Sequence, residues 1–177
     1  IYCTSVGHNS VLLLNFPPDR RGLIHPTDSL HAALLKKSID DTFGNNLLTK
    51  SKVKATNVRG TKFKPEYMID DNKKTYYAGK DGSIKSGITF TLQKQSEFDC
   101  LMIQEVIELG HRTTQWSVEY SNDGKNWIPI SEATNKQTIG YKWIVRFEPV
   151  KAKYVRLLIQ DGKPALPFTR LELINSQ

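Results

Sequence analysis

Long apolar runs, proline, glycine and cysteine are all scarce in this sequence of 177 residues. No apolar run reaches the roughly 18 residues that a transmembrane helix requires, which excludes a helical membrane span. The 8 prolines and 11 glycines are too few for collagen or for a disordered linker. The two cysteines, Cys3 and Cys100, lie far apart, and the apolar surroundings of Cys100 predict a buried free thiol rather than a disulfide framework.

Motifs for zinc and for nucleic acid are also missing. The histidines show no metal-ligand spacing, and neither HExxH nor CxxC occurs. The net charge is +7, and the whole basic surplus lies after residue 48, where the lysines are scattered rather than clustered. No RNA-binding aromatic motif and no recognition helix is present. We therefore expect neither a zinc site nor a nucleic-acid interface.

Residues 1–48 contain one predicted strand and one predicted helix. The apolar run Val11–Asn15 is typical of a buried strand in a parallel sheet. After residue 25, apolar residues recur at helical spacing, with Thr27 or Asp28 as the predicted N-cap and Gly44 at the end. One strand and one helix cannot bury a core, so we interpret residues 1–48 as the end of a larger domain.

Residues 49–177 read as an all-β region, because eight short segments have the alternating or β-branched sequence of strands. These segments are Val53–Val58, Gly87–Leu92, Leu101–Leu109, Trp116–Tyr120, Trp127–Ile130, Thr138–Phe147, Tyr154–Ile159 and Phe168–Ile174. Asn122–Gly124, between the fourth and fifth segments, predicts a hairpin with a type I′ turn. Eight short strands separated by turn signals predict a β-sandwich.

Four motifs of this region resemble, in their order and spacing, the coagulation-factor 5/8 type C (discoidin-like) family. They are Ile69–Tyr77 (IDDNKKTYY), Val118–Trp127 (VEYSNDGKNW), Lys153–Leu157 (KYVRL) and Arg170–Leu173 (RLEL). The resemblance implies an all-β fold over residues 49–177, a jelly-roll β-sandwich of the galactose-binding domain-like kind.

Three further motifs are similar to the alpha-L-fucosidases of glycoside hydrolase family 29. Gln104–Arg112 (QEVIELGHR) and Thr138–Lys142 (TIGYK) resemble their C-terminal β-domain, and Leu12–Ile24 (LLLNFPPDRRGLI) resembles the end of their catalytic barrel. The resemblance implies that residues 1–48 are the last strand and helix of a (β/α) barrel. The two catalytic carboxylates of such a retaining glycosidase would lie upstream of Ile1, so this chain should be inactive alone. The parent protein is expected to be exported, either periplasmic or extracellular.

A sugar site is predicted from two departures from the family pattern: His111 stands where Gln is usual, and Trp143 where Arg is usual. A sugar site needs an aromatic face and planar polar groups. His111, Arg112, Lys142 and Trp143 supply both if their two segments meet at one end of the sandwich, and Tyr77 completes the predicted set. We expect the rings of His111 and Trp143 to touch, either as a structural contact or as a sugar platform. The expected ligand is a fucosylated or galactose-containing glycan.

A calcium site is the second prediction that follows from the resemblance. Asp70, Asn72 and Thr75 match a loop whose oxygens bind Ca²⁺ in sugar-binding relatives. Many relatives complete the cage with a glutamate near the C-terminal strand, where this chain has Arg170, with Glu172 following on the same strand face. The alternative is a turn in which the Asp and Asn side chains bond their own backbone.

Two expectations concern packing. Glu105 lies on a largely apolar strand face, so its carboxyl group should be either paired or protonated, and an ion pair with Arg112 is the favoured arrangement. Residues 1–48 should either pack their helix against the sandwich or pair with another copy of the chain through the Val11–Asn15 strand.

The resulting functional hypothesis is a non-catalytic accessory domain of an alpha-L-fucosidase. It would either bind carbohydrate or support the catalytic barrel of the parent chain. The alternatives are a purely structural sandwich without a ligand and a discoidin-type adhesion or lipid-binding module. The lipid-binding alternative would need exposed apolar spikes at the loop tips, and the sequence shows none.

Overall fold

Seven strands, two α-helices and two short 3₁₀ helices lie in the part of the chain that the computed structural model describes, residues 1–135 and 137–176. The α-helices are α1 (Tyr2–Ser5) and α2 (Pro26–Phe43), and the 3₁₀ helices are Pro65–Met68 and Ile107–Leu109. The strands are β1 (Lys52–Ala55), β2 (Tyr77–Ala78), β3 (Ser86–Glu105), β4 (Thr113–Ser121), β5 (Ile128–Asn135), β6 (Trp143–Gly162) and β7 (Pro167–Ile174). Residue 177, the predicted end of the second domain, lies outside the described residues.

All strand pairs are antiparallel, in the order β2-β7-β3-β6-β4-β5, with β1 on the free side of β3. The long strands β3 and β6 pair twice, Ser86–Thr91 with residues 154–159 and, after a break in register, Ser96–Ile103 with residues 143–152. Each long strand thus contributes one half to each layer of the sandwich. The predicted all-β jelly-roll fold is confirmed, and four of the eight predicted segments belong to only two strands.

The main core lies between the two layers and follows the strand alternation. Ile88, Phe90 and Leu92 of β3 are at most 2% exposed, and they recur at every second position as a half-buried strand requires. The largest other fully buried side chains are Trp116, Tyr77, Phe98, Phe168, Leu48 and Met68. Each large apolar side chain buried here contributes about 1.5–3 kcal/mol to the free energy of unfolding.

A second, smaller apolar cluster lies on the outer face of β3, β6 and β7. Cys100, Met102, Ile144 and Ile174 form it, and Tyr2, Cys3 and Phe43 pack over them. The backbone N–H of Ile144 also donates to the carbonyl of Gly7 at 2.8 Å. Residues 1–10 and the end of α2 therefore cover a face of the sandwich that would otherwise meet solvent.

The expectations for the rest of residues 1–48 hold only in part. The predicted helix is present, but its N-cap is His25, whose Nδ1 accepts from the Thr27 N–H at 3.3 Å. The predicted strand Val11–Asn15 is wrong: the segment is not a strand, and Val11 and Leu13 are 91% and 88% exposed. A strand needs neighbouring strands for its backbone hydrogen bonds, and the described residues offer this segment none.

α2 has no buried residue, so the expected packing of this helix against the sandwich is limited to its last residue, Phe43. The body of α2 therefore stands free of the sandwich.

Neither α-helix of the described residues is long and apolar enough to cross a membrane.

The hairpin between β4 and β5 is confirmed, but the type I′ turn is wrong. The connection has six residues, 122–127, and of these only Gly124 has a positive φ, at 72°. The Asp123 carboxylate organises the loop by accepting the backbone N–H groups of Lys125 and Asn126, both at 2.8 Å. These hydrogen bonds hold the pKa of Asp123 well below its usual range. An aspartate-centred loop thus replaces the two-residue turn.

The two thiols should differ sharply in reactivity. Cys100 is fully buried, and burial raises its pKa to about 12, whereas Cys3 is partly exposed. We expect iodoacetamide at pH 8 to modify Cys3 in the native chain and both thiols in denaturant, as mapped by peptide mass spectrometry. The Cys3→Ser variant should remain unlabelled until it unfolds. Native labelling of Cys100 in that variant would contradict the buried position.

Candidate functional site

One buried carboxylate joins the two segments that carry the predicted sugar site. Glu105, only 2% exposed, accepts from the backbone N–H groups of Arg112 and Thr113 and from the Thr113 hydroxyl through Oε1, at 3.1, 2.8 and 2.8 Å. Its Oε2 accepts from the Thr138 hydroxyl at 3.1 Å and the Gly140 N–H at 2.7 Å. The segments around residues 112 and 140 therefore meet at one end of the sandwich.

The predicted ion pair between Glu105 and Arg112 is wrong. The Arg112 guanidinium instead donates to the carbonyls of Leu109 and Pro164, at 3.0 and 2.7 Å. The carboxylate is compensated by neutral N–H and O–H donors, which stabilise a buried charge without a counter-ion when there are enough of them. Arg112 donates to Glu105 through its backbone N–H.

His111 and Trp143 do not form the predicted ring contact. Trp143 is 8% exposed and packs edge-on against His8, with ring centroids 4.6 Å apart, and against Trp116 at 6.2 Å. His111 is exposed, and its Nδ1 lies 3.3 Å from the Thr138 hydroxyl. The prediction is wrong because residues 1–10 fold back over β6 and bring His8 to the tryptophan.

Tyr77 is also in the wrong place for a sugar ligand. Its side chain is fully buried, and its hydroxyl donates to the Asn57 carbonyl and accepts from the Ser86 hydroxyl, both at 2.7 Å. Its ring stacks on Phe168 at 6.5 Å, and burial raises the pKa of the phenol. Tyr77 is thus a core residue that no glycan can reach, and the burial of Trp143 removes that ring from the predicted platform too.

A surface groove of about 100 Å³ lies beside the Glu105 cluster. The side chains that line it include Asp71, Lys73, Gln104, Glu108, Tyr141 and Arg170. Tyr141 is 54% exposed, and the Gln104 amide donates to its carbonyl at 3.0 Å. Sequence reasoning missed Gln104 and Tyr141 as site residues, although both stand in motifs that resemble the fucosidases.

A second cavity of about 180 Å³ continues this groove toward the N-terminal segment. It shares Lys73, Gln104, Tyr141 and Arg170 with the groove and adds Tyr2, Lys142 and Glu172. The Lys142 ammonium group donates to the Tyr2 hydroxyl at 3.1 Å and lies 5.6 Å from the centre of that ring. Of the predicted sugar residues, Lys142 is the one that lines this combined groove, which we call the Tyr141 groove.

The three predicted calcium ligands lie together in one loop, where their side chains bond to each other and to the backbone. The Asp70 carboxylate accepts from the Asn72 N–H at 2.9 Å and from the Thr75 hydroxyl at 2.7 Å. The Asn72 side-chain oxygen accepts from the Lys74 N–H at 3.0 Å. This is the geometry of the turn that we named as the alternative to a calcium site.

The charged groups nearest to this loop do not fit a calcium ion. Nη1 of Arg170 lies 2.7 Å from the Asp71 carboxylate, and Nε of Arg170 forms an ion pair with the buried Glu172. Residues 1–135 and 137–176 contain no group of three or more His, Cys, Asp and Glu side chains arranged to hold a metal ion. A calcium cage needs six to eight oxygen ligands, and here a guanidinium stands among them.

The fold places the chain in a known class of β-sandwich. The F5/8 type C domain family matches residues 51–172, which is more than half of the chain. The chain therefore belongs to the F5/8 type C domain family.

Several proteins that are similar over nearly the whole chain are described as alpha-L-fucosidases. A crystal structure from Bacteroides thetaiotaomicron, of a protein assigned as an alpha-L-fucosidase, is 70% identical with a TM-score of 0.93 over 98% of this chain and 38% of that one. A Ruminococcus gnavus GH29 fucosidase in complex with fucose is 32% identical with a TM-score of 0.90, over 99% of this chain and 35% of that one. A rice protein (Oryza sativa subsp. japonica) assigned as alpha-L-fucosidase 1 is 32% identical over 95% of this chain. The chain spans about a third of the length of these relatives.

Replacement of the central carboxylate should destabilise the sandwich strongly. In Glu105→Gln one acceptor oxygen becomes an NH₂ donor that faces N–H or O–H donors, so at least one buried hydrogen bond is lost and a donor is left unpaired. We expect the free energy of unfolding, measured by urea denaturation, to fall by about 3 kcal/mol. Glu108→Gln, an exposed neighbour, should change it by less than about 0.5 kcal/mol. Equal values for the two variants would contradict the role of Glu105.

Proposed function

We propose that this chain is a non-catalytic C-terminal region of an alpha-L-fucosidase and that its sandwich binds glycan in the Tyr141 groove. The relatives support the fucosidase assignment, since the chain aligns with them over nearly its whole length. The observation that carries the binding role is the half-exposed Tyr141 ring in a groove that also presents Gln104 and Arg170.

The groove has the chemistry that sugar recognition requires. An aromatic ring can stack on the apolar face of a pyranose, and planar polar groups bond its hydroxyl groups. The amide of Gln104 offers two donors and an acceptor, of which one donor is used by the Tyr141 carbonyl. Lys73 and Lys142 add ammonium donors at the rim. The class of ligand we propose is a fucosylated or galactose-containing glycan.

A weak glycan site on such a domain would act through effective concentration. A module that holds the enzyme near its substrate turns the next encounter into an intramolecular one, without a new contact at the catalytic site. Modest affinity at the Tyr141 groove would therefore suffice for the proposed accessory role.

Glycan-array screening of the chain, followed by titration of the best glycan, tests the binding role. Tyr141→Ala should weaken binding at least about tenfold because the stacking surface is lost. Ile128→Ala is the matched control, since Ile128 is 53% exposed and does not line the groove. If the unsubstituted chain binds no glycan, only the supporting role remains. Binding to liposomes instead would favour the lipid-binding alternative.

A supporting role for residues 11–34 has its own observation. This stretch exposes seven large apolar side chains by 42% to 91%: Val11, Leu13, Leu14, Leu23, Ile24, Leu30 and Leu34. So many exposed large apolar side chains within 24 residues favour a surface that another domain or chain covers. We propose that the catalytic barrel of the parent chain covers it, because the similar fucosidases are about three times as long as this chain.

Reconstitution tests the supporting role. The preceding part of the Bacteroides thetaiotaomicron relative, co-expressed with this chain, should co-purify with it because the two would share an apolar interface. Leu13→Asp should abolish co-purification, since it places a charge in that interface. Ile84→Asp, at an apolar residue of the sandwich that is 39% exposed, should not. Equal effects of the two variants would reject residues 11–34 as the contact.

A further inference from the structure

The loop Asp70–Thr75 and strand β7 are joined by one guanidinium group. Arg170 contacts Asp71 of the loop with Nη1, at 2.7 Å, and Glu172 of its own strand with Nε. The side chains of Asp71, Arg170 and Glu172 are 76%, 30% and 1% exposed, so the arginine spans the distance from the surface to a buried carboxylate.

Glu172 is an unusual residue for this position. Both of its carboxylate oxygens are buried, and apart from Arg170 no described residue donates a hydrogen bond to them. Burial raises the pKa of Glu172, and the charge of Arg170 opposes that rise. A buried carboxylate that has no neutral hydrogen-bond donors depends on a nearby cation for its compensation. Arg170 is the cation in direct contact.

The same carboxylate lines a cavity of about 120 Å³ that holds other oxygen ligands. Thr49 and Asp71 line it together with Arg170 and Glu172. Asn46 also lines it, but its side-chain oxygen already accepts the backbone N–H groups of Leu48 and Leu173, at 3.0 and 3.2 Å. The carboxylate and hydroxyl oxygens that remain are ligand types that a hard divalent cation prefers. The cavity would therefore suit such a cation if the guanidinium were absent.

We propose that Arg170 takes the place of a divalent cation between Asp71 and Glu172, so that the loop is held to β7 without metal and a cation site is latent beneath the arginine. The planar guanidinium suits this role because it presents several N–H donors at fixed angles and can contact two carboxylates at once. A divalent cation in the same cavity would be repelled by the fixed positive charge. This inference does not depend on glycan binding.

The spacing in β7 explains how one arginine reaches both carboxylates. Residues 170 and 172 are two apart in a strand, so their side chains lie on one face of the sheet. Their partners on β3 are Gln104 and Met102, which places Arg170 toward the groove and Glu172 beside the apolar cluster around Met102. Tyr2 and Phe43 cover that cluster, and Glu172 shares a cavity lining with them. Removal of the arginine would leave the carboxylate uncompensated.

The test is the melting temperature of the whole chain in EDTA and in 10 mM CaCl₂ (about the millimolar range of weak protein calcium sites). For the unsubstituted chain we expect the same melting temperature in the two conditions. Arg170→Ala should melt lower in EDTA and regain about 4 °C or more with calcium, because a ligand that binds only the folded state stabilises it. Titration calorimetry with calcium should detect binding to this variant and none to the unsubstituted chain.

Two further variants separate this proposal from general charge effects. Arg59→Ala removes an arginine that is paired with one exposed carboxylate, Asp81, at 3.0 Å, and it should show no calcium response. Arg170→Ala with Glu172→Gln should lose the response that Arg170→Ala gains. The proposal would be overturned if calcium raised, or EDTA lowered, the melting temperature of the unsubstituted chain. That measurement does not require any variant to fold. A folded Arg170→Ala without a calcium response would overturn it as well.

Discussion

The buried carboxylate of Glu105 is the interaction on which the end of the sandwich with the candidate site depends. It sits at the last position of β3 and receives five hydrogen bonds from two segments that are distant in sequence. Because an ionised carboxylate is costly to bury without donors, these segments have little freedom to move apart. The Tyr141 groove lies beside this cluster, so the same network that stabilises the fold also positions the candidate site.

The chain uses a second way of compensating a buried carboxylate only one strand away. Glu105 has neutral donors, whereas Glu172 of β7 has the guanidinium of Arg170 and lacks hydrogen bonds from the other described residues. The first arrangement ties loops to a strand through the backbone; the second ties a loop to a strand through charge. The Tyr141 groove opens between them, with Glu105 and Arg170 both in its lining.

Residues 1–48 consist of one part that packs on the sandwich and one part that is exposed. Tyr2, Cys3 and Phe43 seal an apolar cluster of the sandwich, and His8 packs on Trp143. Residues 11–34 instead expose apolar side chains to solvent. The first part is therefore integral to the sandwich, and the proposed barrel contact concerns only the second. This division also explains why His111 and Trp143 are apart: the tryptophan already has a histidine partner from a segment that no local pattern connects to it.

The sequence by itself determined the fold class, the helix after residue 25, the buried thiol of Cys100 and the family, because these depend on residue periodicity and on local motifs. It placed strand ends less well: Leu101–Leu109 and Thr138–Phe147 were predicted as strands, but β3 stops at Glu105 and β6 begins only at Trp143. Only the tertiary structure decided that Tyr77 and Trp143 are buried, that Glu105 is bonded by backbone N–H groups, and that Arg170 reaches Asp71. Those outcomes depend on which distant segments pack together, and periodicity along one strand carries no information about its partners in space.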